Sequence, residues 1–212
     1  MQHLSDKFSE LAIKVLPSTV RADQTKLPEK APRRFRSRNL IKLPRPNSEV
    51  IDVYVPGRME VVGERPKVVV DFAHNSDALQ VVLDTLRPKV AGRLIVVTGS
   101  AGDRDADKRH AMGQAVANGA DHVIITDEDP HSEDPGQIRA ALLAGARDVA
   151  GASVVEVGDR REAIMTAIAQ ASDDDLVLIA GRGHETVQSV GDQLIELDDR
   201  AVAREALQAR SQ

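Results

Sequence analysis

Four short polar segments of this sequence contain residue types that bind charged small molecules. Their carboxylates can hold an ammonium group or a hydrated metal ion, and their arginines can grip a carboxylate or a phosphate through paired hydrogen bonds. A site with both signs of charge suits a zwitterion such as an amino acid, or a nucleotide with its metal ion. The segments are residues 71–77 (DFAHNSD), 102–109 (GDRDADKR), 128–135 (EDPHSEDP) and 181–186 (GRGHET).

Each polar segment follows an apolar run that is typical of a buried parallel strand. The clearest run is Leu176–Ala180, five apolar residues that end at a glycine. Similar runs at 67–73, 93–98, 121–126 and 153–157 alternate with predicted helices, and 193–197 is predicted as an edge strand. This alternation predicts an α/β fold, a Rossmann-like doubly wound and mostly parallel sheet of about five or six strands with flanking helices. Because such sheets bind ligands at the carboxyl ends of their strands, we expect the four segments to form one site.

The charge distribution predicts two regions, a basic, Pro-rich leader at 1–51 and the α/β domain at 52–212. Residues 1–50 carry 11 Lys/Arg against 5 Asp/Glu, whereas the whole chain has a net charge of −5. Residues 3–16 fit one amphipathic helix, and four arginines cluster between 33 and 38. That cluster could bind nucleic acid or an anionic surface. Since only Phe35 could stack on bases and no binding module is recognisable, a poorly ordered leader is favoured and no nucleic-acid partner is expected.

The composition excludes several kinds of protein. The chain has no cysteine, so it has neither disulfides nor thiolate metal sites. No apolar run approaches the roughly 20 residues of a membrane span, and the N-terminus lacks the apolar core of a signal peptide. A soluble cytoplasmic protein without membrane association is therefore expected.

A metal-dependent phosphohydrolase is an alternative function for the same loops. Mixed His/Asp clusters suit the metal ions of such enzymes, and Asp71, His74, Asp103 and His131 could supply one. These residues lack the tight spacing of a metal-binding motif, so no metal site is predicted. His74 could equally bind neighbouring backbone at the end of its strand.

Six motifs occur in order along the second part of the chain. They are PGRME at 56–60, VVDFAHNSDAL at 69–79, GDRD-x-x-KR at 102–109, EDP at 133–135, GRGHET-x-Q at 181–188 and DDR-x-VAREAL at 198–207. Together they resemble the C-terminal domain of the Mur ligases, and the closest branch is the UDP-N-acetylmuramyl-tripeptide synthetases. The resemblance runs from about residue 55 to the end of the chain. It implies an ATP-dependent acid–amino-acid ligase of peptidoglycan synthesis.

The resemblance also implies a mechanism and a division of the site. ATP phosphorylates the carboxylate of a UDP-muramyl peptide, and a diamino acid such as lysine or diaminopimelate then attacks the acyl phosphate. No catalytic residue and no Mg²⁺ ligand is placed in this chain, although the complete enzyme needs both ATP and Mg²⁺. The implied ATP-side residues are Arg58, Asp71 and His74. The implied amino-acid-binding residues are Arg104, Asp129, His131, Gly181 and Glu185, with the Glu185 carboxylate, expected to be buried, on the ammonium group.

Two departures from the family pattern change what is expected. The diaminopimelate-adding enzymes read Asp-Asn-Pro-Arg where this chain has Glu128-Asp129-Pro130-His131. Histidine is shorter than arginine and often neutral, which leaves the added amino acid open. The family's N-terminal and central ATPase domains, with the phosphate-loop lysine, have no counterpart in this sequence. We therefore expect the chain alone not to catalyse ligation, and a separate ATPase domain or subunit becomes a candidate partner; a non-catalytic binding module is the alternative.

Overall fold

The structure is a computed structural model, and it describes residues 55–210. The predicted helix at 3–16, the arginine cluster and the boundary between 51 and 52 lie outside the described residues. The division into a leader and an α/β domain therefore stays a prediction.

The described residues form one six-stranded sheet with helices on both faces, which confirms the predicted α/β class. In chain order the elements are β1 (Glu60–Glu64), β2 (Lys67–Asp71), α1 (Ser76–Leu86), a 3-10 turn (Arg87–Lys89), β3 (Leu94–Thr98), α2 (Lys108–Gly119), β4 (His122–Ile125), α3 (Pro135–Arg147), β5 (Val154–Glu156), α4 (Arg160–Gln170), β6 (Leu176–Ala180), β7 (Val187–Val190), β8 (Gln193–Glu196) and α5 (Asp199–Arg210). The strand order in the main sheet is β1-β2-β6-β3-β4-β5, and every neighbouring pair is parallel except β1 with β2.

The side chains of the central strands divide between two apolar layers. On β6, Leu176, Leu178 and Ala180 join the cluster that contains α1, α2 and α3, whereas Val177 and Ile179 join the cluster with α4 and α5. Successive strand side chains point to opposite faces, so a strand that is apolar throughout must be covered on both sides. β3 and β6 are buried at every position, as their unbroken apolar runs predict.

Asp and Asn side chains begin three of the helices where the sequence suggests. Asn75 accepts a hydrogen bond from the Ala78 backbone N–H at 2.9 Å, and Asp159 accepts one from Glu162 at 2.8 Å. Asp134 caps α3 in the same way, directly before the proline of its first turn. These caps satisfy backbone donors that have no partner within the helix. Each cap therefore fixes the residue at which a polar loop ends.

The predicted edge strand at 193–197 is the one element that the structure places differently. β8 does not join the main sheet; it pairs only with β7, as an antiparallel hairpin. β7 was not predicted, because its four residues place two adjacent polar side chains between two valines, without the alternation of a strand. Within 55–210, no helix combines the length and apolar character needed to cross a bilayer.

Candidate functional site

A cavity of about 390 Å³ opens at the carboxyl edge of the main sheet. The four strands that precede the polar loops are neighbours, in the order β2-β6-β3-β4, so their loops meet there. Six of the eight predicted site residues line the cavity, and Arg58 and Asp71 do not. The lining residues are Phe72, His74, Ala101, Arg104, Asp105, Lys108, Glu128, Asp129, His131, Gly181 and Glu185.

Glycines let the loops pack backbone against backbone. Gly183 has φ +56°, and a Cβ built on it would lie 2.6 Å from the Gly57 carbonyl oxygen. A Cβ on Gly102 would lie 1.9 Å from the carbonyl oxygen of Pro130. Real Cβ atoms do not approach carbonyl oxygens so closely, so these positions require glycine. The glycines thus join the loop before β1 to the loop after β6, and the loop after β3 to the loop after β4.

The β7–β8 hairpin holds the loop after β4 in place. The His131 backbone donates to Ser189 O at 3.1 Å, and its carbonyl accepts from Gly191 N at 2.6 Å. The Asp129 carboxylate accepts from Ser189 N at 2.9 Å. The buried Gln188 amide donates to the Glu128 carbonyl. The hairpin that sequence reasoning missed therefore positions Asp129 and His131, two of the five residues expected to bind the amino acid.

Four carboxylates line the cavity, those of Asp105, Glu128, Asp129 and Glu185. Glu128 is 6% exposed, and burial raises the pKa of its carboxyl to about 7, with the nearby Asp129 raising it further and Arg160 opposing the rise. One buried oxygen of Glu128 has no hydrogen-bond partner among the described residues. Burial and the nearby Asp129 also raise the pKa of Glu185. Glu185 is only half-buried, with 38% of its side chain exposed, which corrects the expectation of a buried carboxylate.

Two cationic side chains also line the cavity. Arg104 is exposed on the loop before α2. Lys108 is the first residue of α2, its Nζ donates to the His74 carbonyl at 2.9 Å, and its charge also acts on Glu128. The positive end of the α2 dipole adds to these charges. These cations suit a carboxylate or another anion.

Two arginines that the sequence offered as anion-binding groups have structural roles instead. Arg109 is buried and forms a two-point ion pair with Glu133, at 2.8 and 2.9 Å. Arg182 is fully buried and donates to the backbone carbonyls of Leu197 and Val187. Spacing alone could not distinguish these two from Arg104, because burial depends on neighbours that are distant in the chain.

The predicted ATP-side residues flank Phe72. Both carboxylate oxygens of the buried Asp71 accept backbone N–H bonds at 2.8 Å, from Met59 and Ala73. Asp71 therefore anchors the turn that carries Arg58, whose guanidinium lies 4.1 Å from the centroid of the Phe72 ring. His74 Nδ1–H donates to the Phe72 carbonyl at 2.8 Å, and its ring also lines the cavity. His74 thus combines the backbone contact and the cavity position that the sequence left as alternatives.

The sequence predicted no role for three lining residues, Phe72, Ala101 and Lys108, and it offered Asp105 and Glu128 only as carboxylates of the polar segments. Phe72 and Lys108 lie within quoted motifs, and their positions next to His74 and at the start of a helix were available signals. For the phosphohydrolase alternative, residues 55–210 contain no group of three or more His, Cys, Asp or Glu side chains placed to hold a metal ion.

Comparison with known proteins identifies the family. The sequence profile of the Mur ligase, glutamate ligase domain matches residues 57–183, more than half of the chain. The chain belongs to the Mur ligase family. Its described part is the C-terminal domain of that family, as the resemblance implied.

Individual Mur ligases agree with this assignment. The UDP-N-acetylmuramoyl-L-alanyl-D-glutamate–2,6-diaminopimelate ligase of Bradyrhizobium diazoefficiens is 49% identical over 73% of this chain and 31% of its own length. The ligase of the same name from Corynebacterium glutamicum is 48% identical over 73% and 31%. A solved structure of a ligase of this name aligns with a TM-score of 0.69 and 40% identity, over 76% of this chain and 33% of its own. The chain thus spans about a third of the length of the relatives it matches.

More distant Mur ligases share the fold. The UDP-N-acetylmuramate-alanine ligase of Thermotoga maritima aligns with a TM-score of 0.52 at 17% identity, over 74% of this chain. At that identity the likeness concerns the fold alone.

Proposed function

We propose that this domain binds the incoming amino acid and completes the ATP site of a UDP-N-acetylmuramyl-peptide ligase. The ligase joins a diamino acid to the peptide in the cytoplasm, during peptidoglycan synthesis. The observation that carries the proposal is the cavity, whose lining combines four carboxylates with the cations Arg104 and Lys108. That arrangement is complementary to a zwitterion with more than one ammonium group.

The charges suggest how the amino acid lies in the cavity. Its carboxylate would lie toward Arg104 and Lys108 at the start of α2, where cations and the helix dipole favour an anion. Its ammonium groups would lie toward Glu128, Asp129 and Glu185. The amine that attacks must be held near the activated carboxylate with its lone pair free, and positioning of this kind supplies much of the rate enhancement in two-substrate reactions.

The nucleotide side of the domain fits an anion better than a metal ion. Arg58 is exposed at the rim, over Phe72, where its guanidinium could reach a phosphate, and Asp71 fixes the turn that carries it. When bound, ATP would supply the phosphoryl group that activates the substrate carboxylate. The described residues contain no group of three or more His, Cys, Asp or Glu side chains placed to hold a metal ion. In this proposal the ion is bound by the remainder of the ligase.

The identity of the diamino acid depends on the position of His131. Diaminopimelate has a second carboxylate that lysine lacks, and a fixed arginine would bind that group in a forked geometry. The relatives named above are 2,6-diaminopimelate ligases. Both amino acids are therefore substrates to test, and a higher kcat/KM for one would assign the specificity of this cavity.

A complementation assay tests the proposed function. The 212-residue chain is mixed with ATP, Mg²⁺, UDP-N-acetylmuramyl dipeptide and lysine or diaminopimelate, and phosphate release and amide product are measured. We expect no turnover from the chain alone. We expect turnover when the preceding two-thirds of the Bradyrhizobium ligase is added as a separate protein.

Matched variants make this assay specific for the cavity. Glu185→Gln should abolish the restored turnover, whereas Glu64→Gln, on an exposed side chain far from the cavity, should not. Turnover by the chain alone would contradict the expected dependence on a partner. Amino-acid binding without restored ligation, measured by calorimetry, would instead favour a non-catalytic binding module.

A further inference from the structure

Arg182 is a fully buried arginine in which one of the three guanidinium nitrogens makes no hydrogen bond. Its Nη1 donates to the Leu197 carbonyl at 3.0 Å and its Nη2 to the Val187 carbonyl at 2.6 Å. Its Nε is buried and has no hydrogen-bond partner among the described residues. A buried charged donor without a partner costs free energy. Unpartnered buried donors are rare in folded proteins, so the direction in which this one points is informative.

The Nε of Arg182 faces two carboxylates of the cavity. It lies 3.7 Å from Asp129 Oδ1 and 3.8 Å from Glu185 Oε2. Both distances allow an ion pair and are too long for a hydrogen bond. Asp199 lies on the other side of the guanidinium, 3.9 Å from Nη1. The two backbone carbonyls and Asp199 thus fix the guanidinium in a position between the acids of the cavity.

We infer that Arg182 is a positioning residue that holds the Asp129 and Glu185 carboxylates directed into the cavity for a ligand's ammonium group. This role rests on the proposed function, because it assumes that the two acids bind the amino acid. The carboxylates around the cavity repel each other, and a buried cation behind two of them offsets that repulsion. A ligand that draws one carboxylate over the Nε–H would complete the missing hydrogen bond.

A purely structural role for Arg182 makes a different prediction. If the residue only links the loop after β6 to the segment before α5, its removal would destabilise the fold without a selective effect on Glu185. Arg160 is the matched control, since it is equally buried and pairs with the same Asp199, at 2.9 and 2.8 Å. Among the cavity acids, Arg160 acts on the pKa of Glu128, whereas Arg182 acts on that of Glu185.

The test is a carboxyl-carbon NMR titration of the full chain without ligand. The groups that face Glu185 are Glu128, Asp129, Arg182, His184 and Asp199, and the Arg182 variants change only the Arg182 charge. We expect Arg182→Met to raise the pKa of Glu185 further, and Arg182→Lys, which keeps the charge, to raise it less. Arg160→Met should raise the pKa of Glu128 instead. A folded Arg182→Met protein with an unchanged Glu185 titration would overturn the inference.

A wild-type measurement decides the matter if Arg182→Met does not fold. The Arg182 Nε–H resonance should shift as Glu185 titrates, and this shift should disappear in Glu185→Gln. An Nε–H chemical shift that does not change as Glu185 titrates would refute the positioning role. Because neither measurement uses a ligand, both can succeed while amino-acid binding fails. That combination would reject the proposed function and leave the coupling of Arg182 to the acids intact.

Discussion

Replacement of Glu128 by glutamine should stabilise the protein, and the gain should grow with pH. The Glu128 carboxyl is buried, and its pKa rises from 4.5 to about 7. The folded protein therefore binds this proton more tightly than the unfolded chain does. Stability from this group is present below pH 4.5 and is lost as the pH rises through about 7. Glutamine has nearly the shape of the neutral carboxyl group and cannot ionise, so it avoids the loss.

The size of the effect follows from the raised pKa. A rise of about 2.5 pKa units corresponds to about 3 kcal/mol, since each unit is worth about 1.4 kcal/mol. At pH 8 the full difference should appear, so Glu128→Gln should unfold with a free energy about 3 kcal/mol larger than the wild type. At pH 5 the gap should fall to about 1 kcal/mol or less, because the group is then only partly ionised in the unfolded chain.

Urea denaturation from pH 5 to pH 8 measures this difference. Far-UV circular dichroism is the suitable signal because the chain has no tryptophan. Glu64→Gln is the control; its side chain is 78% exposed, and its stability relative to the wild type should not change with pH in this range. A pH-independent difference for Glu128→Gln, or one that parallels the control, would refute the argument that Glu128 is buried as a neutral acid.

Three further stability predictions use the same assay. Gly183→Ala should lower the free energy of unfolding by about 1–3 kcal/mol more than Gly191→Ala does. The two glycines share a φ near +56°, but only at Gly183 would a Cβ meet backbone atoms. Equal losses of stability would contradict the close packing at Gly183. Burial alone would raise the pKa of Asp175, but hydrogen bonds from Arg93 and Ser172 outweigh it and lower the pKa to about 2. Asp175→Asn should therefore lower the free energy of unfolding by about 2 kcal/mol at pH 7, and this loss should shrink as the pH falls toward 2. The control Asp173→Asn, on an exposed side chain, should change the free energy of unfolding by no more than about 0.5 kcal/mol. Asn75→Ala removes the cap of α1 and should lower the free energy of unfolding by about 1 kcal/mol. An unchanged urea midpoint would show that the cap does not contribute to stability.

Local patterns were sufficient for most of the fold. The run Leu176–Ala180 predicted β6 with both of its bounds. The capping Asp159 and the first-turn Pro135 are local signals at the starts of α4 and α3. These signals depend on residues a few positions apart, such as a cap and the N–H three residues later. The hairpin was the failure, since β7 has too few apolar residues to signal a strand and gains its stability from β8 and the loop after β4.

The sequence by itself determined the alternation of strands and helices, the four polar loops at strand ends, and the motifs that identify the family. Tertiary structure decided the strand order that makes β2, β6, β3 and β4 neighbours, and with it the gathering of four loops around one cavity. It also separated Arg104, at the cavity, from Arg182, buried behind two of its acids. Strand order and burial depend on contacts between residues far apart in the chain, and no local pattern encodes those contacts.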